Sequence, residues 1–93
     1  MDLDSIKNKA VPILMAAGVI RSSVFGSFVR GDNNVNSDVD FLIEFPKGKT
    51  LFDLVSLKLK LEETLDKKVD LVTFRSISPY LKDSVLKDQY SIL

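Results

Sequence analysis

The alternation of hydrophobic and polar positions along the chain predicts a mixture of helices and strands. Runs rich in β-branched and aromatic residues are typical of strands, whereas apolar residues spaced three and four apart indicate helices. We predict a first helix from Asp4 to Gly18, a strand at 19–25, a tight turn or short helix at 27–31, a polar loop at 32–37, a strand at 38–45, a helix at 51–67, a strand at 69–74 and a helix from 79 to about 89. The expected fold class is α/β, of the α+β kind, with a small mixed β-sheet and flanking helices packed mainly on one side.

Capping residues support the ends of the predicted helices. Asp4 is a suitable N-cap and Gly18 a suitable residue after the C-cap of the first helix, while Pro12 between them is expected to kink it or divide it into two pieces. Ser78 followed by Pro79 is the combination expected of an N-cap and a first helical residue, so it predicts the start of the last helix.

The helix at 51–67 carries two apolar stripes. The main stripe consists of leucines spaced three and four residues apart, which are Leu54, Leu57, Leu61 and Leu65. Phe52, Val55 and Leu59 form a second stripe beside it. The pattern favours a helix packed on two sides, and a surface for docking a partner is the alternative.

Length and charge limit the possible functions. A chain of 93 residues is expected to form one domain, residues 1–93. Its 13 basic and 13 acidic residues cancel, so neither a membrane nor nucleic acid is expected as a partner. The apolar run at 11–20 is too short to span a bilayer, and Asp2 and Asp4 do not suit a basic secretory leader. We therefore expect a cytoplasmic protein.

The chain contains neither cysteine nor histidine. Without thiolate or imidazole ligands, any metal ion must be bound by oxygen atoms, which favours Mg²⁺, Mn²⁺ or Ca²⁺.

Two aspartates, Asp38 and Asp40, begin the apolar run of the second predicted strand. Side chains two residues apart in a strand lie on one face, roughly 6.6 Å apart along the chain, so both carboxylates could converge on one ion. Without a cation they would repel each other. Asp70 in the third strand could complete a cluster of three. Spacing alone favours a structural role for the pair, and Asp70 could simply face solvent at a strand end.

Gly26 and Ser27 stand where the first predicted strand meets the following turn. A glycine and a hydroxyl at such a junction can present backbone N–H groups and an Oγ donor to a phosphate.

These residues together carry a family resemblance. The runs GSFVRG at 26–31, SDVD at 37–40 and VDLVT at 69–73 resemble the signature of nucleotidyltransferases related to DNA polymerase β, and most of all its minimal nucleotidyltransferase (MNT) branch. The similarity covers nearly the whole chain, including RSISPYL at 75–81. It implies the palm-like nucleotidyltransferase fold, and no signature position is missing.

The resemblance also implies residue roles. Gly26 and Ser27 would contact the phosphates of the nucleotide, Asp38 and Asp40 would bind the metal ions, and Asp70 would be a third metal ligand that helps to activate the attacking hydroxyl. Arg30 matches the arginine of the family and would bind phosphate. The alternative for Arg30 is a structural pair with Asp32 or another carboxylate. Ser37 is expected to be a loop cap rather than a ligand.

The function implied by the resemblance is that of an antitoxin. It would transfer AMP from ATP, with Mg²⁺ or Mn²⁺, to a HEPN-domain ribonuclease, at a tyrosine of that partner. One alternative is an antitoxin that neutralises its partner by docking alone. Another is a nucleotidyltransferase that acts on a small molecule as a homo-oligomer. The complete set of carboxylates favours the protein-modifying enzyme.

Overall fold

The computed structural model describes residues 2–31, 37–77 and 79–93. The described residues form four helices and four strands: α1 (Leu3–Ala16), β1 (Arg21–Phe25), α2 (Ser27–Arg30), β2 (Val39–Glu44), α3 (Leu51–Leu65), β3 (Val69–Thr73), α4 (Pro79–Lys87) and β4 (Tyr90–Ser91). The predicted order is confirmed for the first seven elements. The two-residue strand β4 was not predicted, because so short a segment has no detectable period.

The sheet is mixed, with strand order β3-β2-β1-β4. β1 pairs antiparallel with β2 and with β4, whereas β2 and β3 are parallel. Parallel neighbours need a crossover connection, and α3 provides it between β2 and β3. The sheet therefore has the mixed topology expected from the sequence.

Two long helices cover one face of this sheet. The core contains alternate residues of β2 together with residues spaced at helical intervals on α1 and α3, namely Val39, Phe41, Ile43, Ile6, Ala10, Leu14, Leu57, Leu61 and Leu65. Since successive side chains of a strand point to opposite faces, Asp40 on β2 and Asp70 on β3 lie on the face away from these helices.

The first helix differs from its prediction at two points. Its N-cap is Asp2, whose carboxylate accepts a hydrogen bond from Ser5 N–H at 2.8 Å, so the predicted cap Asp4 is wrong. Pro12 lies inside a continuous helix, because buried Ala10 and Leu14 on either side of it hold both halves against the sheet. Gly18 follows the C-cap with φ +83°, as predicted.

Other element ends shift by a few residues. β1 begins at Arg21 rather than at Val19, because the N–H of Val19 bonds back to Leu14 O at the end of α1. Helix α3 ends at Leu65 because the next residue, Asp66, adopts φ +53°. The prediction that Pro79 is the first residue of the last helix is confirmed, whereas Ser78 and the predicted loop at 32–36 lie outside the described residues.

The second apolar stripe of α3 is on the surface. Phe52, Val55 and Leu59 are 85%, 52% and 59% exposed, so the favoured prediction of a helix packed on two sides is wrong. α3 packs on α1 and β3 through its leucine face, and none of the described helices and strands covers the other stripe. In the described part of the chain, no helix is long and apolar enough to cross a membrane.

Candidate active site

The parallel pairing of β2 and β3 brings Asp40 and Asp70 side by side. Asp40 is the register partner of Asp70, so both carboxylates lie on the same face of adjacent strands. The two carboxyl groups are within hydrogen-bonding reach of each other, and the charge of Asp38, immediately before β2, also acts on Asp40. The sheet thus pairs two of the three aspartates that the sequence singles out, and the third, Asp38, precedes β2.

The surroundings of Asp40 disfavour its negative charge. Burial raises the pKa of Asp40 to about 6, with further contributions from the charges of Asp70 and Asp38 and from the hydrogen bond with Asp70. The positive charge of Arg30 acts in the opposite direction on this pKa. A half-buried carboxylate beside two others is electrostatically costly, and a bound cation would remove that cost.

Gly26 lies against this cluster, at a position that requires glycine. Its φ of +81° and ψ of −148° form a backbone conformation that residues with a side chain rarely adopt. A Cβ at this position would collide with Asp40 Oδ2. The strand pairing of Phe25 with Asp40 produces this close approach, so the glycine of the GSFVRG run is required by the fold around the carboxylates.

Ser27 opens the short helix α2 directly after Gly26. The N–H groups of Val29 and Arg30 bond to Gly26 O, each at 3.1 Å. Those of Ser27 and Phe28 are at the start of the helix, where backbone donors have no partner within the helix. Backbone donors and the Ser27 hydroxyl therefore follow directly after Gly26, the residue that lies against Asp40, which is the arrangement of a phosphate-binding turn.

Arg30 ends α2 and acts electrostatically on Asp40. This places the guanidinium near the carboxylates. Both interpretations from the sequence, a phosphate ligand and a structural partner of a carboxylate, fit that position. Asp32, the partner named in the structural interpretation, lies outside the described residues.

The donor set fits Mg²⁺ in chemistry and charge. The available ligands are carboxylate oxygens, which Mg²⁺ prefers, and burial together with the charges of Asp70 and Asp38 raises the pKa of Asp40. Within the described ranges, however, no three acidic side chains lie close enough together to hold one ion. Asp40 and Asp70 are paired, so Asp38 would have to turn toward them. The roles of the three aspartates therefore remain predictions.

A second feature, a cleft at the other end of the sheet, was not predicted from the sequence. It has a volume of about 770 Å³ and is lined by the ends of β2 and β3 and the segments that follow them. Its lining residues come from segments far apart in the chain, so no motif in the sequence could reveal it.

Comparison with known proteins identifies the class to which this fold and site belong. The nucleotidyltransferase domain family matches residues 8–89. A protein of Methanocaldococcus jannaschii, named provisionally as a protein adenylyltransferase, is 48% identical over 93 residues, which is 100% of both chains. The chain belongs to the nucleotidyltransferase domain family. The predictions of this enzyme class and of its fold are confirmed.

Two solved structures show which members it resembles. A protein described provisionally as a minimal nucleotidyltransferase has a TM-score of 0.82 and 37% identity, covering 96% of this chain and 94% of that one. A toxin–antitoxin complex crystallised with AMP-PNP has a TM-score of 0.82 and 28% identity, covering 94% of this chain and 72% of the matched chain. Within the family, the chain is a minimal nucleotidyltransferase.

Proposed function

We propose that this nucleotidyltransferase transfers AMP from ATP, with Mg²⁺ or Mn²⁺, to a tyrosine of a HEPN-domain partner and so acts as an antitoxin. The observation that carries the proposal is the pairing of Asp40 with Asp70 beside Gly26 and Ser27. Support comes from the protein adenylyltransferase named in Methanocaldococcus jannaschii and from the similar toxin–antitoxin complex with AMP-PNP.

Each site residue has a task in this reaction. Asp38, Asp40 and Asp70 would hold Mg²⁺, which when bound neutralises phosphate charge and lowers the pKa of a hydroxyl beside it. The backbone N–H groups at Ser27, together with its hydroxyl, bind phosphate oxygens of ATP. Arg30 adds positive charge near the same phosphates. Positioning and electrostatics are the main sources of catalysis in phosphoryl transfer, so neither histidine nor cysteine is required.

The bonds exchanged are those of a displacement at the α-phosphorus of ATP. The tyrosine oxygen forms a bond to this phosphorus, and the bond from it to the bridging oxygen of the β-phosphate breaks. Pyrophosphate leaves, and AMP remains as an ester on the tyrosine. Asp70 accepts the hydroxyl proton.

The position of the site suits an acceptor that arrives from outside. Asp70 is exposed, and the face that carries it lies away from α1 and α3. A side chain on another protein could therefore reach the carboxylates.

The test is AMP transfer by the double variant Asp38→Asn/Asp40→Asn. The chain is incubated with α-³²P-labelled ATP, Mg²⁺ and a HEPN-domain protein as the candidate acceptor, and label on that protein is measured. We expect the double variant to lose at least about 100-fold of the rate, because it removes the anionic ligands on which charge stabilisation depends. Asp83→Asn/Asp88→Asn removes two exposed carboxylates of the last helix and the turn after it, and serves as the matched control.

Docking without chemistry is the second candidate, and the exposed stripe of α3 favours it. The two functions are separated by measuring toxin neutralisation in cells and complex formation in vitro for the same double variant. Lost neutralisation with an intact complex supports the transferase. Full neutralisation by the double variant would show that docking suffices. Transfer of AMP to a small molecule, with the HEPN-domain protein left unmodified, would favour the small-molecule enzyme.

A further inference from the structure

The cleft at the far end of the sheet is a feature separate from the carboxylates. Asp40 is near the start of β2, whereas Glu44, at the end of the same strand, lines the cleft. Four residues of strand separate them by about 13 Å. A molecule bound in the cleft therefore need not displace the nucleotide.

The charged residues of the cleft are predominantly basic. Its lining includes Lys47, Lys49 and Arg75 but only one carboxylate, that of Glu44. That carboxylate is already paired with Arg21 at 3.1 Å, and the Arg21 guanidinium also lies 4.0 Å from the centre of the Phe74 ring. Across the described ranges, the three lining cations form no ion pair with a carboxylate. A chain with no net charge thus has a local surface on which basic residues outnumber carboxylates, with Asp53 at the start of α3 as a nearby acidic residue on which the charge of Lys49 acts.

Apolar side chains are exposed at the same place. Leu51 and Ile20 line the cleft and are 77% and 56% exposed, and Phe52 is next to Leu51. The turn at Gly18 lies against the side chain of Lys49, since a Cβ on Gly18 would be 3.4 Å from Lys49 Cε. The start of β1 and the start of α3 therefore form one surface. Contiguous exposed apolar residues indicate an interaction site.

The start of α3 is not a site for a small anion. The Thr50 hydroxyl accepts a hydrogen bond from Asp53 N–H at 3.4 Å, and Asp53 Oδ2 accepts one from Thr50 N–H at 2.8 Å. This capping box occupies the backbone donors of Thr50 and Asp53 and places a carboxylate at the helix end. The lysine and arginine side chains must therefore provide the recognition of negative charge. An open, partly apolar surface suits a polypeptide segment better than a small ligand, which needs enclosure.

We propose that this cleft binds an acidic, partly apolar segment of the acceptor protein. Apolar side chains of that segment pack on Leu51 and Ile20, while its carboxylates pair with Lys47, Lys49 and Arg75. That the partner is the acceptor protein rests on the proposed function. The acidic and apolar character of the bound segment is inferred from the residues that line the cleft. Docking at one end of the sheet would leave the carboxylate end open for the modified tyrosine.

The test measures the Kd of the HEPN-domain protein by calorimetry against matched pairs of variants. Lys47→Glu/Lys49→Glu is expected to weaken binding at least tenfold, and Lys7→Glu/Lys9→Glu, two exposed lysines of α1, is its control. Leu51→Ser is likewise expected to weaken binding at least tenfold, with Met15→Ser, an exposed residue of α1 outside the cleft, as its control. Raising the ionic strength should weaken the wild-type complex more than the complex of the charge variant.

Arg75→Glu covers the case in which Leu51→Ser disturbs the start of α3. Arg75 is exposed in the turn after β3, and its reversal is expected to weaken binding severalfold with unchanged circular dichroism. Equal losses in the cleft and control variants would overturn the proposal. Absence of wild-type binding would also overturn it, as would dissociation of a homodimer by Leu51→Ser. Failure of AMP transfer within an intact, cleft-dependent complex would count against the proposed function and leave the docking site standing.

Discussion

Asp40 is the residue on which the candidate active site depends most directly. Its strand partner Asp70, the preceding Asp38 and the absent side chain of Gly26 together determine the environment of its carboxylate. Burial raises the pKa of Asp40 to about 6, so at neutral pH the metal-free protein holds a charge that its surroundings disfavour. A site whose carboxylates bind a cation is expected to lower the stability of the folded protein when no cation is bound, because the carboxylates then repel one another.

The first prediction concerns the stability of the metal-free protein. Because the pKa of Asp40 is higher in the folded state than in the unfolded chain, its contribution to stability is full below about pH 4 and is lost as pH rises through about 6. In EDTA at pH 7.5, Asp40→Asn should therefore raise the free energy of unfolding, because it removes the disfavoured charge. We expect a gain of only about 1 kcal/mol, because solvent screens the charge of a half-buried group. The gain should vanish toward pH 4. Urea unfolding at several pH values measures it.

Asp53→Asn is the control of opposite sign. Hydrogen bonds from Thr50 lower the pKa of Asp53, so its contribution to stability is present above the unfolded pKa and is lost as pH falls through the folded one. Its replacement should lower stability at neutral pH and have less effect in acid. An Asp40→Asn protein that is less stable than wild type at pH 7.5 in EDTA would contradict the electrostatic account.

Helix α3 shows how one element can serve the core and the surface at once. Leu57, Leu61 and Leu65 are buried against the sheet and α1, and the crossover they anchor makes β2 and β3 parallel. The opposite stripe, Phe52, Val55 and Leu59, remains exposed. The leucine face is therefore required for folding, whereas the exposed stripe is available for other roles.

The second prediction compares two leucines of this helix. Leu61→Ala should lower the free energy of unfolding by about 2–4 kcal/mol, because it leaves a cavity in the core between helices and sheet. Leu59→Ala should change it by less than about 0.5 kcal/mol, because its side chain is mostly in solvent. Urea unfolding of both variants at one pH gives the comparison. Similar losses for the two would mean that the exposed stripe is covered in solution, for instance by a second copy of the chain.

Over the whole molecule, opposite charges lie at opposite ends of the sheet. Asp38, Asp40 and Asp70 lie where β2 and β3 begin, and the basic cleft lies where these strands end. The net charge of zero conceals this separation. A polyphosphate would be repelled from the acidic end unless a cation accompanied it.

The third prediction follows from that repulsion and concerns ATP. Binding of ATP, measured by calorimetry, should be at least about tenfold tighter with Mg²⁺ or Mn²⁺ than in EDTA, because Mg²⁺ is usually bound jointly by carboxylates and substrate phosphates. Asp38→Asn or Asp40→Asn should reduce this metal dependence, whereas Asp88→Asn, in the turn after α4, should not. Identical affinities with and without EDTA would exclude the metal from nucleotide binding.

Local sequence was enough to locate most elements and the residues of the candidate site. Strand and helix periods are short-range properties, so they identified β1, β2, β3 and the leucine face of α3. The family signature likewise singled out Gly26, Ser27 and the three aspartates. Cap positions were less certain, since Asp2 and Asp4 can both cap a helix and only the hydrogen bond to Ser5 N–H decides between them.

Tertiary structure decided what depends on neighbours distant in the chain. The register that pairs Asp40 with Asp70, the close approach of Gly26 to Asp40 and the exposure of the second stripe of α3 follow from how the elements pack. The continuity of α1 through Pro12 also depends on packing, because core contacts on both sides outweigh the local preference of proline. The basic cleft is assembled from segments that are separate in sequence, so it exists only once the sheet has formed.

Sequence by itself determined which groups are available for chemistry, because residue type and local period are encoded along the chain. Only the fold determined which of those groups meet, because contacts between distant segments depend on the packing of the whole chain.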